Sequence, residues 1–392
     1  MGQPGVLVTV TFYRESEYLA SRMQIPFRLA LAGQGRVDAG LVGAIAISTA
    51  VFSATPLILN SVIEAFELGS TAAGLVSGCQ LAGFVLTSFL AGRVTHPSRQ
   101  IFTGAIILLS MANAASAMVN GLPLLLVLRF VAGLALGLLT WLAWSSAFGD
   151  NKKMGSVAVI GPIAGVVVSP LVGVLVELSS FRAVFVGLAI FGLLPLLGVA
   201  EFARPIEQDS HRSSGGAPVA FLVIGCLALV AFSGSAVFVF SGVIAENDLG
   251  ISPWVFSLVM SANAAAGIPS AGWSGARPLA GLWLAGCGTM AIIFTTSGNA
   301  YLGAAAIIAW GFAFWMGIPG VYSLLSRVSR YPAERAGDAQ AAMAVGRIFG
   351  PVVGGSLLGI GSQATLGLLA GGLLILSGVT LAAADVATGS SS

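Results

Sequence analysis

The chain has 392 residues, of which 57% are hydrophobic and only 8% are charged, and its formal net charge is +2. Soluble domains usually carry about a quarter charged residues, so this composition excludes a water-soluble globular protein. The three cysteines, Cys79, Cys226 and Cys287, all lie in apolar runs. We therefore expect no disulfide framework, no metal site and no cofactor, and we expect no nucleic-acid partner.

The lengths of the apolar runs predict membrane-spanning helices, each of which needs about 20 mostly apolar residues. The polar stretch FGDNKK (Phe148 to Lys153) separates the fourth span from the fifth. The sequence therefore predicts an all-α membrane protein with twelve transmembrane helices. These spans run near 40–62, 74–91, 101–119, 122–147, 156–176, 183–200, 219–244, 255–275, 279–298, 301–325, 339–361 and 364–384.

The distribution of basic residues predicts the orientation. If both termini lie in the cytoplasm, fourteen of the 17 lysines and arginines fall in cytoplasmic segments, and the outer loops receive only Arg182. This is the positive-inside pattern, so we expect the N and C termini in the cytoplasm. The outer loops instead carry the acidic residues Glu64, Glu67, Glu177, Glu246 and Asp248.

The polar stretches divide the chain. Residues 1–38 contain four arginines and no cleavable signal pattern, and either a basic interfacial helix or a flexible tail fits them. Residues 201–218 mix charges with Ser and Gly, as a flexible linker does. This linker separates six spans in residues 39–200 from six in 219–385, and we expect a disordered tail at 386–392.

The two sets of six spans share a pattern at an offset of about 180 residues. Ala91–Gly92 aligns with Ala271–Gly272. An internal repeat of this kind is typical of transporters that bind substrate near the midplane, between the repeats. The clearest match aligns Gly165, Ser169, Pro170 and Gly173 with Gly346, Gly350, Pro351 and Gly354.

Three motifs resemble those of the major facilitator superfamily. LRFVAGLALG (Leu128 to Gly137) is similar to the fourth-helix motif of an arginine followed by spaced glycines. GVVVSPLVG (Gly165 to Gly173) resembles the fifth-helix motif associated with antiporters, and GRIFGPVVGG (Gly346 to Gly355) is a cleaner copy. The loop after the second span departs from the family pattern, because GRVTHPSRQ, which begins at Gly92, has His96 where the motif has an aspartate.

The resemblance implies two pseudo-symmetric six-helix bundles that rock about a central site by alternating access. It also implies a multi-pass protein of the bacterial cytoplasmic membrane that works as a monomer in the lipid bilayer and binds a small-molecule substrate, with or without a coupling ion. The residues expected to form gates or bundle contacts are Arg93, His96, Gly165, Ser169, Pro170, Gly173, Gly346, Arg347, Gly350, Pro351 and Gly354.

Two arginines, Arg129 and Arg347, lie inside predicted spans, where a charge costs about 2.5–3.5 kcal/mol on insertion scales. Each fits either a charge that faces the substrate cavity or an arginine bonded to carbonyls at a kink. We expect a cavity role for Arg129 and a position near the inner gate for Arg347. Since no Asp or Glu lies within a predicted span, fixed positive charge favours an anionic or neutral substrate over a cationic one.

Other candidates for the cavity are aromatic or uncharged polar residues. In the family that the chain resembles, the first, fourth, seventh and tenth helices line the cavity, and the second and eighth border it. Packing within the membrane explains any one of these residues equally well. The candidates are Thr55, Gln80, Trp141, Asn263, Trp310, Trp315 and Tyr322.

The sequence thus predicts a secondary transporter of an organic anion or metabolite. A proton-driven efflux antiporter for drugs or metabolites is the first alternative, and a non-transporting sensor or assembly protein with the same fold is the second. No nucleophile elbow, Walker sequence or HExxH motif is present in the sequence, so we do not expect an enzyme.

Overall fold

The computed structural model describes residues 38–147, 151–198, 218–273, 277–330 and 332–389. The N-terminal segment 1–37, all of the expected linker except Pro218, and the side chain of Arg93 lie outside the described residues. The described chain is helical almost throughout, as the apolar runs predict.

The helices form two halves. The first half contains α1 (Ala39–Phe66), α2 (Ser70–Val94), α3 (Arg99–Ala117), α4 (Leu122–Ala147), α5 (Asn151–Leu178) and α6 (Phe181–Phe191), and a short 3-10 helix, Leu194–Leu197, follows. The second half contains α7 (Pro218–Phe238), α8 (Ser241–Asn247), α9 (Pro253–Ala271), α10 (Ala280–Thr296), α11 (Ala300–Val328), α12 (Pro332–Ile360) and α13 (Gln363–Gly389).

Ten helical segments within the described residues are long and apolar enough to cross a membrane, where α7 and α8 count as one segment. Two further segments of the predicted twelve correspond to shorter apolar helices, Phe181–Leu197 and Ala280–Thr296. The predicted seventh span is broken, since α7 ends at Phe238 and α8 begins at Ser241. The break turns α8 onto α1, where Gly242 lies against the Pro56 carbonyl.

The C-terminal helix is longer than predicted. Because α13 continues to Gly389, residues 386–389 are helical and do not belong to a disordered tail. The Asp385 carboxylate accepts a hydrogen bond from the Leu279 backbone N–H at 3.1 Å and pairs with Arg327 at 2.6 Å. These contacts tie the end of α13 to α10 and α11.

The same helix pairs pack in both halves, as the repeat predicts. In the first half, α1 packs on α5, α2 on α4, and α3 on α6. The corresponding pairs of the second half are α7 with α12, α9 with α11, and α10 with α13. Glycine makes several of these contacts possible, because a methyl group at Gly133 of α4 would collide with the Gln80 carbonyl of α2.

The glycines of GRIFGPVVGG lie inside the second half. Gly346, Gly350 and Gly354 all face the α7 backbone between Ala228 and Ala236. We expected a contact between the two bundles here, and the structure instead gives these glycines an internal packing role. The neighbouring residues Pro351 and Gly355 make the contact with α2.

A backbone carbonyl that proline leaves free in α11 is bound by an arginine that precedes α10. Pro319 has no N–H, so the carbonyl of Trp315, four residues earlier, loses its helical hydrogen bond. Arg277 donates to that carbonyl at 2.8 Å. It also donates to the carbonyls of Ser270 and Trp273, at the end of α9, at 2.9 and 2.8 Å. Arg277 thereby fixes the segment of α11 that carries Trp315 and Tyr322.

We predict that Arg277 and Pro319 are energetically coupled. Arg277→Gln leaves three carbonyls without the guanidinium and should destabilise the protein by about 1–3 kcal/mol. In a Pro319→Ala background the loss should be smaller by about 1 kcal/mol, because the new N–H bonds the Trp315 carbonyl. The coupling free energy is obtained from the unfolding free energies, measured in detergent, of the wild type, the two single variants and the double variant.

Arg99→Gln provides the control, since Arg99 is an exposed arginine at the start of α3. It should show no coupling with Pro319→Ala. Additive effects of Arg277→Gln and Pro319→Ala would contradict the assignment of Arg277 to the freed carbonyl.

Candidate functional site

The two halves meet through three junctions at one end of the molecule, which we call the acidic end because Glu64, Glu177 and Glu246 lie there. The first junction joins α1 to α8. The Asn60 amide nitrogen donates to a Glu64 carboxylate oxygen at 3.2 Å and to a Glu246 oxygen at 2.8 Å. Asn247 donates in turn to the Asn60 oxygen at 3.2 Å. Asn60, which is buried, therefore holds carboxylates of both halves together.

The second junction joins α5 to α9. Pro170 leaves the Val166 carbonyl without its helical N–H, and the Ser261 hydroxyl of the other half donates to it at 2.7 Å. Nearer the acidic end, the Trp254 N–H donates to Glu177 at 2.9 Å, so a carboxylate of the first half binds the N-terminus of α9. The hydrogen bonds of this junction thus use backbone groups that their own helices leave free.

The third junction joins α2 to α12 through small residues. Gly74 lies against the Pro351 carbonyl, and Gly355 lies against the Ser70 carbonyl. The hydroxyls of Thr71 and Ser356 are 3.3 Å apart. Backbone therefore packs directly on backbone at this point.

Arg347 lies one helical turn from Pro351 towards the opposite end of the molecule, which we call the basic end because it carries Arg277, Arg327 and Arg335. Residues four apart share a helix face, so Arg347 continues the face of α12 that Pro351 presents to α2. Arg347 is partly buried as a whole residue, its guanidinium is surrounded by protein, and Tyr322 lies near enough to interact with it electrostatically. Within the described part of the chain Arg347 forms no ion pair.

The surroundings of Arg347 are polar but carry no balancing charge. The Tyr322 hydroxyl contacts Gln340 and lies 3.6 Å from the Met343 sulfur. Gln340 is exposed and Tyr322 is half-buried. These residues form a cationic, partly accessible group between α11 and α12, which we call the Arg347 group (Tyr322, Gln340 and Arg347).

Arg129, in contrast, lies inside the first half and is 2% exposed. Its terminal nitrogens donate to Ser116 at 2.6 Å, Asn113 at 3.0 Å, the Ala112 carbonyl at 3.4 Å and Gln80 at 3.5 Å. The Phe185 ring centroid lies 4.4 Å from the guanidinium carbon. Arg129 therefore joins α4 to α2, α3 and α6.

The other cavity candidates fall into separate places. Thr55 and Gln80 line a small cavity with Arg129. Trp310 packs on Phe238 within the second half, with ring centroids 6.2 Å apart. Asn263 donates to the Ile307 carbonyl at 2.6 Å, which joins α9 to α11.

Three further candidates are only partly buried. Trp315 lies against Gly267 of α9, Trp141 packs at the edge of the first half, and Tyr322 lies beside Arg347. The structure thus brings together two sets of predicted residues, one at Arg129 and one at Arg347.

The remaining gate candidates lie mostly along α5. A Cβ atom added to Gly165 would lie 3.1 Å from the Ala264 methyl group, and one added to Gly173 would collide with Ser257. Both glycines therefore face α9. Ser169 is buried, and Pro170 frees the Val166 carbonyl. His96 is exposed in the short segment between α2 and α3.

Several residues of the junctions escaped the sequence analysis. Ser261 has no distinguishing local pattern, although it aligns with Gln80 at an offset of 181 residues, and Val166 aligns with Arg347 at the same offset. Asn60 lies in the first predicted span, and its sequence neighbours give no sign that it contacts Glu246 of the other half. The sequence predicts Glu246 in an outer loop after the seventh span, whereas the structure places it in the short helix α8.

Neither a metal site nor a disulfide is found among the described residues. No group of three or more His, Cys, Asp or Glu side chains among them could hold a metal ion. The three cysteines are free thiols. The arrangement offers hydrogen-bonded junctions between the two halves, and one intramembrane arginine, Arg347, that has no carboxylate partner among the described residues.

The structure is similar to solved transporters at low sequence identity. A bacterial homologue of the human lysosomal transporter Spinster, inward-facing and unoccupied, gives a TM-score of 0.68 at 14% identity over 88% of this chain and 96% of that one. A D-xylose–proton symporter gives 0.67 at 14% identity over 88% and 95%. A peptide transporter in complex with sulfate gives 0.70 at 13% identity over 90% and 94%.

The sequence comparisons identify the family. No curated protein sequence matches the chain. The model of the Major Facilitator Superfamily, however, matches residues 40–345, which is well over half of the chain. The shared fold, the repeated packing pairs and this match lead to one conclusion: the chain belongs to the Major Facilitator Superfamily.

Proposed function

We propose that the protein transports a small organic anion or anionic metabolite across the membrane by alternating access, and that the Arg347 group contacts the anion. The observation that carries this proposal is the partly buried intramembrane Arg347, which lies near Tyr322 and has no carboxylate partner among the described residues. A guanidinium binds carboxylates through two parallel hydrogen bonds, so a substrate carboxylate suits the vacant donors.

The described state is closed at the acidic end. If the acidic end faces outwards, as the distribution of basic residues predicts, this state is inward-facing. One similar solved structure is also described as inward-facing and unoccupied. An anion would then enter from the basic end and meet Arg347 one turn before the closed junction of α2 with α12.

The junctions suit a contact that must open and close. The second junction is bonded through Ser261 and Glu177, whose partners can bond water when the halves separate. The third junction presents glycine and backbone, so no long side chain has to leave a pocket. An anion that contacts α12 beside this junction could shift the balance between the two states, provided that it binds one of them more tightly.

The first junction favours a second candidate, proton-driven antiport. Glu64 and Glu246 lie within hydrogen-bond reach of the same Asn60 nitrogen, one from each half. Two carboxylates so close repel each other when both are ionised, so proton binding would affect closure. Flux in proteoliposomes with and without an imposed pH gradient separates proton-driven transport from anion exchange, and absent flux would favour a non-transporting protein.

We predict that Arg347→Gln weakens anion binding by about 10- to 100-fold, because a charge-assisted hydrogen bond is worth about 1.5–3 kcal/mol. A thermal-shift screen with mono-, di- and tricarboxylates, glucose and an organic cation measures the effect. Arg347→Lys should retain part of the binding, since it keeps the charge and loses the planar pair of donors.

Arg99→Gln removes the same charge at an exposed position and serves as the matched control. It should leave the carboxylate profile unchanged. Identical profiles for wild type and Arg347→Gln, or tight binding of the organic cation alone, would contradict the assignment of Arg347 to an anion site.

We also predict that a disulfide across the third junction stops transport reversibly. In a background without Cys79, Cys226 and Cys287, Thr71→Cys and Ser356→Cys should cross-link, because the native hydroxyls are 3.3 Å apart. The cross-link holds the acidic end closed, so flux should fall to background under oxidation and return with a reductant.

The single variants Thr71→Cys and Ser356→Cys test whether oxidation itself inhibits, and both should remain active. Full flux through the cross-linked protein would contradict alternating access through this junction.

A further inference from the structure

A small cavity lies inside the first half, between α1, α2, α4 and α6. Its volume is about 10 Å³, and most of its wall is aliphatic, from residues such as Ile58, Leu59 and Leu188. Three polar side chains, Thr55, Gln80 and Arg129, interrupt this wall. The cavity is therefore an apolar space with one cation in its lining.

Arg129 is incompletely satisfied although it is almost wholly buried. Its two terminal nitrogens donate to four neutral oxygens, whereas its Nε has no hydrogen-bond partner among the described residues. No described carboxylate pairs with it. The Phe185 ring covers one face of the guanidinium but brings no negative charge.

The size and charge of the space restrict what could occupy it. A space of this volume holds about one water molecule, so it is too small for an organic anion, and a chloride ion, which is somewhat larger than water, requires the aliphatic wall to move outwards. Water could accept a hydrogen bond from Nε but would leave the positive charge unbalanced in a medium of low dielectric constant. A monatomic anion could accept the hydrogen bond and also balance the charge.

We propose that this cavity is a binding site for a halide ion, physiologically chloride, that neutralises Arg129 within the first half. The Gln80 amide, whose oxygen accepts from Arg129, has two N–H donors to offer the same ion. The site is separate from the Arg347 group, which lies in the other half, so it does not depend on the proposed substrate.

The site predicts that halides stabilise the protein specifically. Purified full-length protein should unfold at a temperature a few degrees higher in about 0.15 M sodium chloride than in sodium methanesulfonate of equal ionic strength, whose anion is neither a halide nor a carboxylate, because an ion that binds only the folded state raises its stability. Sodium bromide should act like chloride. Arg129→Gln should abolish the difference between the salts.

Arg347→Gln is the matched control, because it removes an intramembrane arginine outside the cavity and should retain the halide effect. Loss of carboxylate binding in this variant with an intact halide effect would separate the two sites. Equal unfolding temperatures in chloride and methanesulfonate for the wild type, or an equal chloride effect in Arg129→Gln, would overturn the halide site.

Crystals grown in bromide give a second measurement that does not depend on the folding of a variant. An anomalous peak within hydrogen-bond reach of the Arg129 Nε is expected. A cavity that is empty of bromide or holds only water in such crystals would overturn the proposal.

Discussion

The absence of water from the bilayer core governs this structure, because each backbone carbonyl there must find a donor within the protein. Proline breaks that arrangement at defined points. Trp315 and Val166 each lose a helical N–H to the proline four residues later, and each carbonyl is then bonded by a side chain from elsewhere, Arg277 in one case and Ser261 in the other. The two bonds differ in consequence, since the first stays inside one half and the second joins the halves.

The two intramembrane arginines show two environments in which a positive charge can lie within the membrane. Arg129 is surrounded by neutral acceptors from two helices, α2 and α3, and by one aromatic ring of α6, so its charge is enclosed. Arg347 is partly buried beside Tyr322 and has no carboxylate partner among the described residues, and we propose that a ligand balances its charge. The sequence predicts a cavity role for Arg129, which lines a small cavity inside the first half, whereas the anion site that we propose lies at Arg347. Insertion cost alone does not distinguish them, because both side chains are equally polar and both lie deep in apolar helices.

Much of the architecture was predictable from sequence because it depends on period and length. The apolar runs predicted nearly every helix, and the repeat offset predicted that packing pairs would recur in both halves. The break near Phe238 was not predictable, since the residues on both sides are apolar and helix-compatible and only the approach of Gly242 to α1 explains it. The shorter α10 likewise lacks a local signal.

The sequence by itself determined that the chain spans a membrane as two related sets of helices, because hydropathy and repetition are properties of the chain alone. It also determined which residues are unfavourable in free energy within apolar helices, namely glycines, prolines and arginines. Only the tertiary structure decided their partners. Gly346 faces α7, whereas Gly355 faces α2, although both belong to one motif. Partner choice depends on which helix lies opposite each face, and that is set by contacts between residues far apart in the chain.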